Sequence, residues 1–121
     1  MHYINGRLFC ALPAFEMQEG RRTWLYHGTV GNEVDLHTAH VHGLVGVTAG
    51  GEHVDSKLLL PGSTAVVDIV PDNIGVWLFH CHVNDRLHAS MQALLSVRPA
   101  TTGPAKRAKA VSSFVPNRRR C

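Results

Sequence analysis

An apolar run that ends in His80, Cys81 and His82 constrains this chain more than any other feature. Val76, Trp77, Leu78 and Phe79 lead into it, a composition that reads as a buried strand. Successive side chains on a strand point to opposite faces, so His80 and His82 share one face and Cys81 takes the other. A second window, residues 37–42, splits in the same way. His40 and His42 share a face, and His37, three residues before His40, has the opposite parity. If the two strands lie side by side, His40, His42, His80 and His82 gather into one cluster, and His37 can join Cys81 on the far side.

That pattern points to metal. A buried imidazole needs a hydrogen-bond partner, and packing alone does not explain two His-x-His pairs with a cysteine between one of them. A trigonal Cys-His-His set with a weak axial Met is the blue-copper arrangement, and imidazole-only clusters suit copper, zinc or iron. Met91 follows Cys81 across a short loop that can fold it back as the axial group.

The rest of the chain bounds the fold. At 121 residues it is one domain's worth of protein. It has no stretch of the roughly 18 apolar residues that a membrane helix needs, and its first residues do not read as a secretory signal. Three cysteines, Cys10, Cys81 and Cys121, suggest no disulfide framework. Strand signals recur at residues 7–9, 23–27, 34–42, 64–70, 76–82 and 92–97, punctuated by Asn5-Gly6, Pro61-Gly62 and Pro71-Asp72. Only residues 85–91 read as a short helical turn. The expectation is an all-β sandwich or barrel, with Trp24 and Trp77 in the core and His53 in a solvated turn.

Pro99 ends the pattern. Six of the twelve basic residues follow Pro104 and no acid does, so the basic balance of the chain belongs to its end. Residues 1–99 are expected to form the domain, and residues 100–121 a disordered basic tail. Such a tail has the charge to touch nucleic acid or an anionic membrane. The solvated tail is the favoured reading, and no nucleic-acid partner is expected.

At these residues the chain resembles the C-terminal cupredoxin domain of a multicopper oxidase, nearest to the ceruloplasmin- and hephaestin-like ferroxidases. The resemblance runs from about Ile4 to Val97 and rests on Ile4-Asn5-Gly6-Arg7, residues 31–43, Leu60-Pro61-Gly62-Ser63 and residues 77–83. It implies a cupredoxin-like Greek-key β-sandwich. It implies that His37 and Cys81 ligate a type 1 copper with Met91 axial, that His40 ligates type 2 copper, and that His42, His80 and His82 ligate the type 3 pair. Electrons from a reductant, ferrous iron among the candidates, would pass through Cys81 to the trinuclear cluster, where dioxygen becomes water. Relatives of this kind lie mostly outside the cytosol.

Two departures follow. The family carries a histidine four residues after the second histidine of His-Cys-His, and here that position is Arg86, which stays protonated and cannot ligate. The type 1 site is left with Cys81, His37 and Met91, and His88 is the candidate substitute. Ser90 also stands where a glycine usually precedes Met91. The second departure is that the family's trinuclear cluster takes half its histidines from another domain, so a complementing cupredoxin domain or subunit is the expected partner. Asp85 occupies the position of an acid that would attract a substrate cation, with helix-start capping as its plainer role. Glu33 and Asp35 read as loop and strand-entry residues.

Three functions are consistent with these residues. The chain is the copper-binding part of an oxidase completed by another domain, or a stand-alone copper-binding cupredoxin without turnover, or a degenerate truncated product.

Overall fold

The computed structural model describes residues 2–9, 11–31 and 35–101. The expected tail beyond Thr101, together with Cys10, Glu33 and Cys121, lies outside the described residues.

Strand β1 spans Phe15–Gln18, β2 Thr23–Gly28, β3 His37–Val41, β4 Gly46–Thr48, β5 His53–Val54, β6 Ser56–Leu59, β7 Thr64–Ile69, β8 Gly75–Cys81 and β9 Gln92–Arg98. The single helix among the described residues, α1, is Asn84–His88. The strands form two sheets, one ordered β1-β9-β8-β3-β6 and one ordered β2-β7-β4-β5. Only β1 with β9 is parallel, and every other pairing is antiparallel. The chain changes sheets at every step except β4 to β5 and β8 to β9, giving a two-sheet β-sandwich, one of the two architectures expected from the strand signals.

Alternation on each strand builds the core. Ala93, Leu95 and Val97 of β9 are buried at every second position, and Leu95 is fully enclosed. Across the sandwich Leu95 and Val97 meet Val67 and Ile69 of β7, with Met17, Val41 and Leu44 completing the cluster and Trp77 and Phe79 of β8 packed against it. Each such large side chain contributes about 1.5–3 kcal/mol by leaving water.

Some expectations change. Residues 7–9 form no strand. Asn5 and Gly6 make the turn, Ile4 bridges Arg7, and Phe9 at φ 50° stops any further ladder. Trp24 is 57% exposed because β2 turns Trp24 and Tyr26 to the outer face and Leu25 inward. His53 belongs to β5 and not to a turn, although it is exposed. Strands β1, β4, β5 and β6 carry weak local signals, and the sheet edges they pair with define them. Among the described residues no helix is long and apolar enough to cross a membrane.

Candidate metal centre

Strands β3 and β8 lie antiparallel, with Ala39 opposite Cys81 and His40 opposite His80. Parity does the rest. The inward face of the pair carries His37, Ala39, Phe79 and Cys81, and the outward face carries His40, His42, His80 and His82.

On the outward face each of the four imidazoles has at least two of the others as neighbours. Ring centroids are 4.9 Å apart for His40–His42, 5.0 Å for His42–His80, 5.1 Å for His40–His82 and 5.6 Å for His80–His82. Ring nitrogens of His40, His42 and His80 all lie within 4.8 Å of one another. His80 is buried, His40 is half-buried, and His42 and His82 are exposed, so the cluster has a closed floor and an open rim.

The backbone sets the tautomers. Nδ1 of His80 lies 2.8 Å from the Cys81 carbonyl, and Nδ1 of His40 lies 2.8 Å from the Asp55 carbonyl. A carbonyl only accepts, so both Nδ1 atoms carry the proton and both Nε2 atoms keep a lone pair. Nε2 of His42 sits 2.9 Å from Nε2 of His80 and donates to it. A metal ion would replace that shared proton. Burial is the main cause of a lowered His80 pKa. The neighbouring imidazoles add to it, and the Cys81 carbonyl opposes it. A neutral imidazole is the ligating form. The donor set therefore fits copper on this face.

Gly43 lets the chain leave β3 beside the cluster. Its φ is +67°, and a Cβ there would stand 2.6 Å from the Trp77 ring. The same indole is fixed by Nε1 donating to the Asn73 carbonyl at 2.9 Å.

On the inward face Cys81 is 3% exposed. Its Sγ accepts from the Thr38 backbone N–H at 3.4 Å and lies 3.8 Å from Nδ1 of His37. The Cys81 backbone N–H donates to the Met91 carbonyl at 3.1 Å, which folds the loop back toward the thiol. His37, Cys81 and Met91 line one cavity of about 170 Å3 with Phe15, Tyr3 and His27. Cysteine, histidine and methionine thus line the same cavity, and these donor types also fit copper. The loop before Met91 is strained. Ser90 is fully buried at φ 81°, in the left-handed region that favours glycine.

Arg86 is not a spectator. Its Nη2 pairs with Asp35 at 2.9 Å, and its Nη1 donates to Nε2 of His2 at 2.8 Å. The His2 ring stands edge-on to His37, with centroids 6.2 Å apart, and Ser90 Oγ donates to the His2 carbonyl at 3.2 Å. Burial, followed by the Arg86 charge, lowers the His37 pKa, while Asp35 raises it. His88 ends α1 on the exposed surface and does not line the cavity. Asp85 is exposed in the first turn of α1. Val83 is the N-cap and makes no side-chain capping bond, so Asp85 does not serve as the cap.

Three participants carried no sequence signal. His2 reaches the site only because the first residues fold back. The Asp55 carbonyl belongs to the backbone. His27 faces the cavity from the other sheet, with a buried Nδ1 that has no hydrogen-bond partner, and burial lowers its pKa.

A two-sheet sandwich with an imidazole cluster on one face of a strand pair, and a cysteine-histidine-methionine cavity behind it, defines a copper-binding cupredoxin domain. The family model described as "Multicopper oxidase" matches residues 1–101. The chain belongs to the multicopper oxidase family. It is 41% identical over 99 residues to hephaestin from Homo sapiens, covering 80% of this chain and 8% of that protein. Over the same length it is 38% identical to human ceruloplasmin, covering 9% of it. The chain therefore spans about a tenth or less of the length of these curated relatives. A solved multi-copper oxidase from Pseudomonas thermotolerans superposes with a TM-score of 0.65 at 28% identity, over 78% of this chain and 24% of that one. One from Pediococcus acidilactici superposes at 0.72 and 14% identity, over 87% and 25%, which bears on the fold alone.

Proposed function

We propose that residues 1–99 are the copper-holding unit of an oxidase that couples oxidation of a reductant, ferrous iron among the candidates, to reduction of dioxygen to water. The ligands would be His40, His42, His80 and His82 on the outward face and Cys81, His37 and Met91 on the inward face. The observation that carries this reading is the 2.9 Å approach of the His42 and His80 Nε2 atoms inside a ring of imidazoles. When bound, copper supplies one-electron chemistry that neither imidazole nor thiol offers. The chain's own groups orient and hold. The Asp55 and Cys81 carbonyls fix two tautomers, and the single peptide between His80 and Cys81 joins the two faces.

The exposed rim at His42 and His82 faces outward as half a cluster, which supports a complementing cupredoxin domain or subunit supplying the other imidazoles. Such a unit would work outside the cytosol, in keeping with the family resemblance. The test is oxygen uptake by the copper-loaded chain mixed with an amino-terminal multicopper oxidase domain. Uptake by the mixture and none by either part is expected. No uptake by a mixture that forms a stable complex would count against oxidase function.

Arg86 favours a second reading, a stand-alone copper-binding module without turnover. Steady oxygen consumption by the chain alone, in proportion to its copper, would rule that reading out. A degenerate product without function would be set aside by tight, stoichiometric copper binding.

A further inference from the structure

Residues 2–9 belong to neither sheet, yet Tyr3, Ile4 and Asn5 form part of the wall of the cavity that Cys81, His37 and Met91 line. The segment lies against the sandwich without being built into it. None of residues 2–9 is buried, and the side chains of Tyr3 and Phe9 are largely exposed. Ile4 and Arg7 bond to each other, N–H to carbonyl in both directions, so the turn between them closes on itself.

Hydrogen bonds take the place of buried apolar area, and they converge on one loop. Ser90 clasps both ends of the segment. Its Oγ, which also reaches the Ala89 carbonyl, donates to the His2 carbonyl at 3.2 Å. Its own carbonyl accepts the Phe9 N–H at 3.2 Å. Arg86 holds the first end a second time, with Nη1 donating to Nε2 of His2 at 2.8 Å while Nη2 stays with Asp35 at 2.9 Å. Ser90 is fully enclosed at φ 81°, a conformation that costs a residue with a side chain free energy. Such strain persists where the surroundings over-determine it, and here they include both ends of the strap.

The clasp adjoins the cavity. Ser90 precedes Met91, whose carbonyl accepts the Cys81 N–H at 3.1 Å. The His2 ring stands edge-on to His37, with centroids 6.2 Å apart. A segment with exposed side chains and a handful of hydrogen bonds opens at lower free-energy cost than a packed sandwich unfolds.

We propose that residues 2–9 are a gate on the inward cavity, latched shut by Arg86 and Ser90, and that solutes reach Cys81 by local opening of this strap. Neither latch residue lines the cavity, so both are positioning residues that act through His2 and Phe9. A metal ion would enter and leave by the same opening. That consequence rests on reading Cys81 as a ligand, whereas the gate itself does not.

Iodoacetamide labelling of the metal-free full chain reads the gate. Peptide mass spectrometry assigns the label to Cys81, apart from Cys10 and Cys121, and denaturant unfolding of the same samples gives global stability. In the unaltered chain Cys81 should react far more slowly than glutathione. Denaturant below the unfolding transition should barely change that rate, because local opening exposes little surface. His2→Ala cuts the Arg86 bond and leaves the Arg86–Asp35 pair in place. It should speed Cys81 labelling about tenfold, the weight of a hydrogen bond to a charged group, with little change in the unfolding midpoint. Ser90→Gly removes the hydroxyl and relieves the backbone, so labelling should quicken without the loss of stability that global opening would require. Labelling of the unaltered chain as fast as glutathione would mean that no gate exists. A rate that climbs with denaturant in step with global unfolding, or one unchanged in folded His2→Ala and Ser90→Gly, would also overturn the inference. Each of these results leaves the copper-ligand reading of Cys81 standing, and the unaltered chain decides the matter even if a variant does not fold.

Discussion

Nε2 of His42 lies 2.9 Å from Nε2 of His80, and only one of those two atoms can carry the proton. The Cys81 carbonyl settles which, because it takes the Nδ1 proton of His80 and leaves Nε2 of that ring as the acceptor. The strand pairing has thus aimed a lone pair from a buried ring at a neighbour that must give up its proton when metal enters.

The first prediction concerns that pair. His80→Ala removes a proposed ligand and the closed floor of the cluster. Copper affinity at the outward face should fall by more than the roughly 10–100-fold typical of losing an outer-shell partner. Competition against a chelator of known affinity measures it. His53→Ala, at an exposed position in β5, should leave the affinity unchanged.

The second concerns pH. The His80, His37 and His27 pKa values are all lowered, chiefly by burial. The folded protein therefore binds fewer protons than the unfolded chain once pH drops below the ordinary imidazole value of about 6.5. Stability rises with pH wherever the unfolded state binds more protons. The stability is fully present above about 6.5 and is lost as pH falls from there toward the depressed folded values. Thermal melts of the metal-free protein should be flat above pH 7 and decline below about 6.5. A melting temperature that rises on acidification through that window would contradict the assignment.

The third concerns Gly43. Alanine there must adopt the left-handed conformation and press a Cβ within 2.6 Å of the Trp77 ring. The two penalties together are about 2–4 kcal/mol. Denaturant unfolding should register that loss. The residue next to His42 would shift with it, so copper affinity at the outward face should weaken too.

The fourth concerns Arg86 and Asp35. Their ion pair is largely shielded, with side chains 17% and 22% exposed. Asp35→Asn leaves a guanidinium without its carboxylate and should destabilise the fold by about 1–3 kcal/mol, below the range for fully buried pairs. Measured as a double-mutant cycle with Arg86→Gln, the two changes should be clearly non-additive. Additive effects would mean that the pair is decorative.

The sequence made the site more legible than the sheets. His-Cys-His on a strand can only be read one way, because the period of two leaves no choice of face, and His37 opposite in parity to His40 follows from the same rule. The helix at 84–88 and the strands at 23–28, 64–69, 75–81 and 92–98 were visible for similar reasons. The short strands β4 and β5, and β1 with its mixed Phe15-Glu16-Met17-Gln18 pattern, are made by their partners and not by their own composition. Trp24 misled because an aromatic on a strand reads as core, and only the register against β7 reveals that it faces out beside Asp68. His2 and Asp35 were invisible as a pair. They meet through Arg86, a contact that joins positions more than eighty residues apart in one case.

The most direct test of the whole account is copper stoichiometry and affinity at the outward face, measured side by side for the unaltered chain and for a chain with His40, His42 and His80 all changed to alanine, both with Cys81→Ser to silence the inward cavity. The account predicts saturable copper binding by the first and its loss by the second, with both proteins folded. Equal binding by the two would contradict it, because the imidazoles that converge between β3 and β8 would then not be what holds the metal.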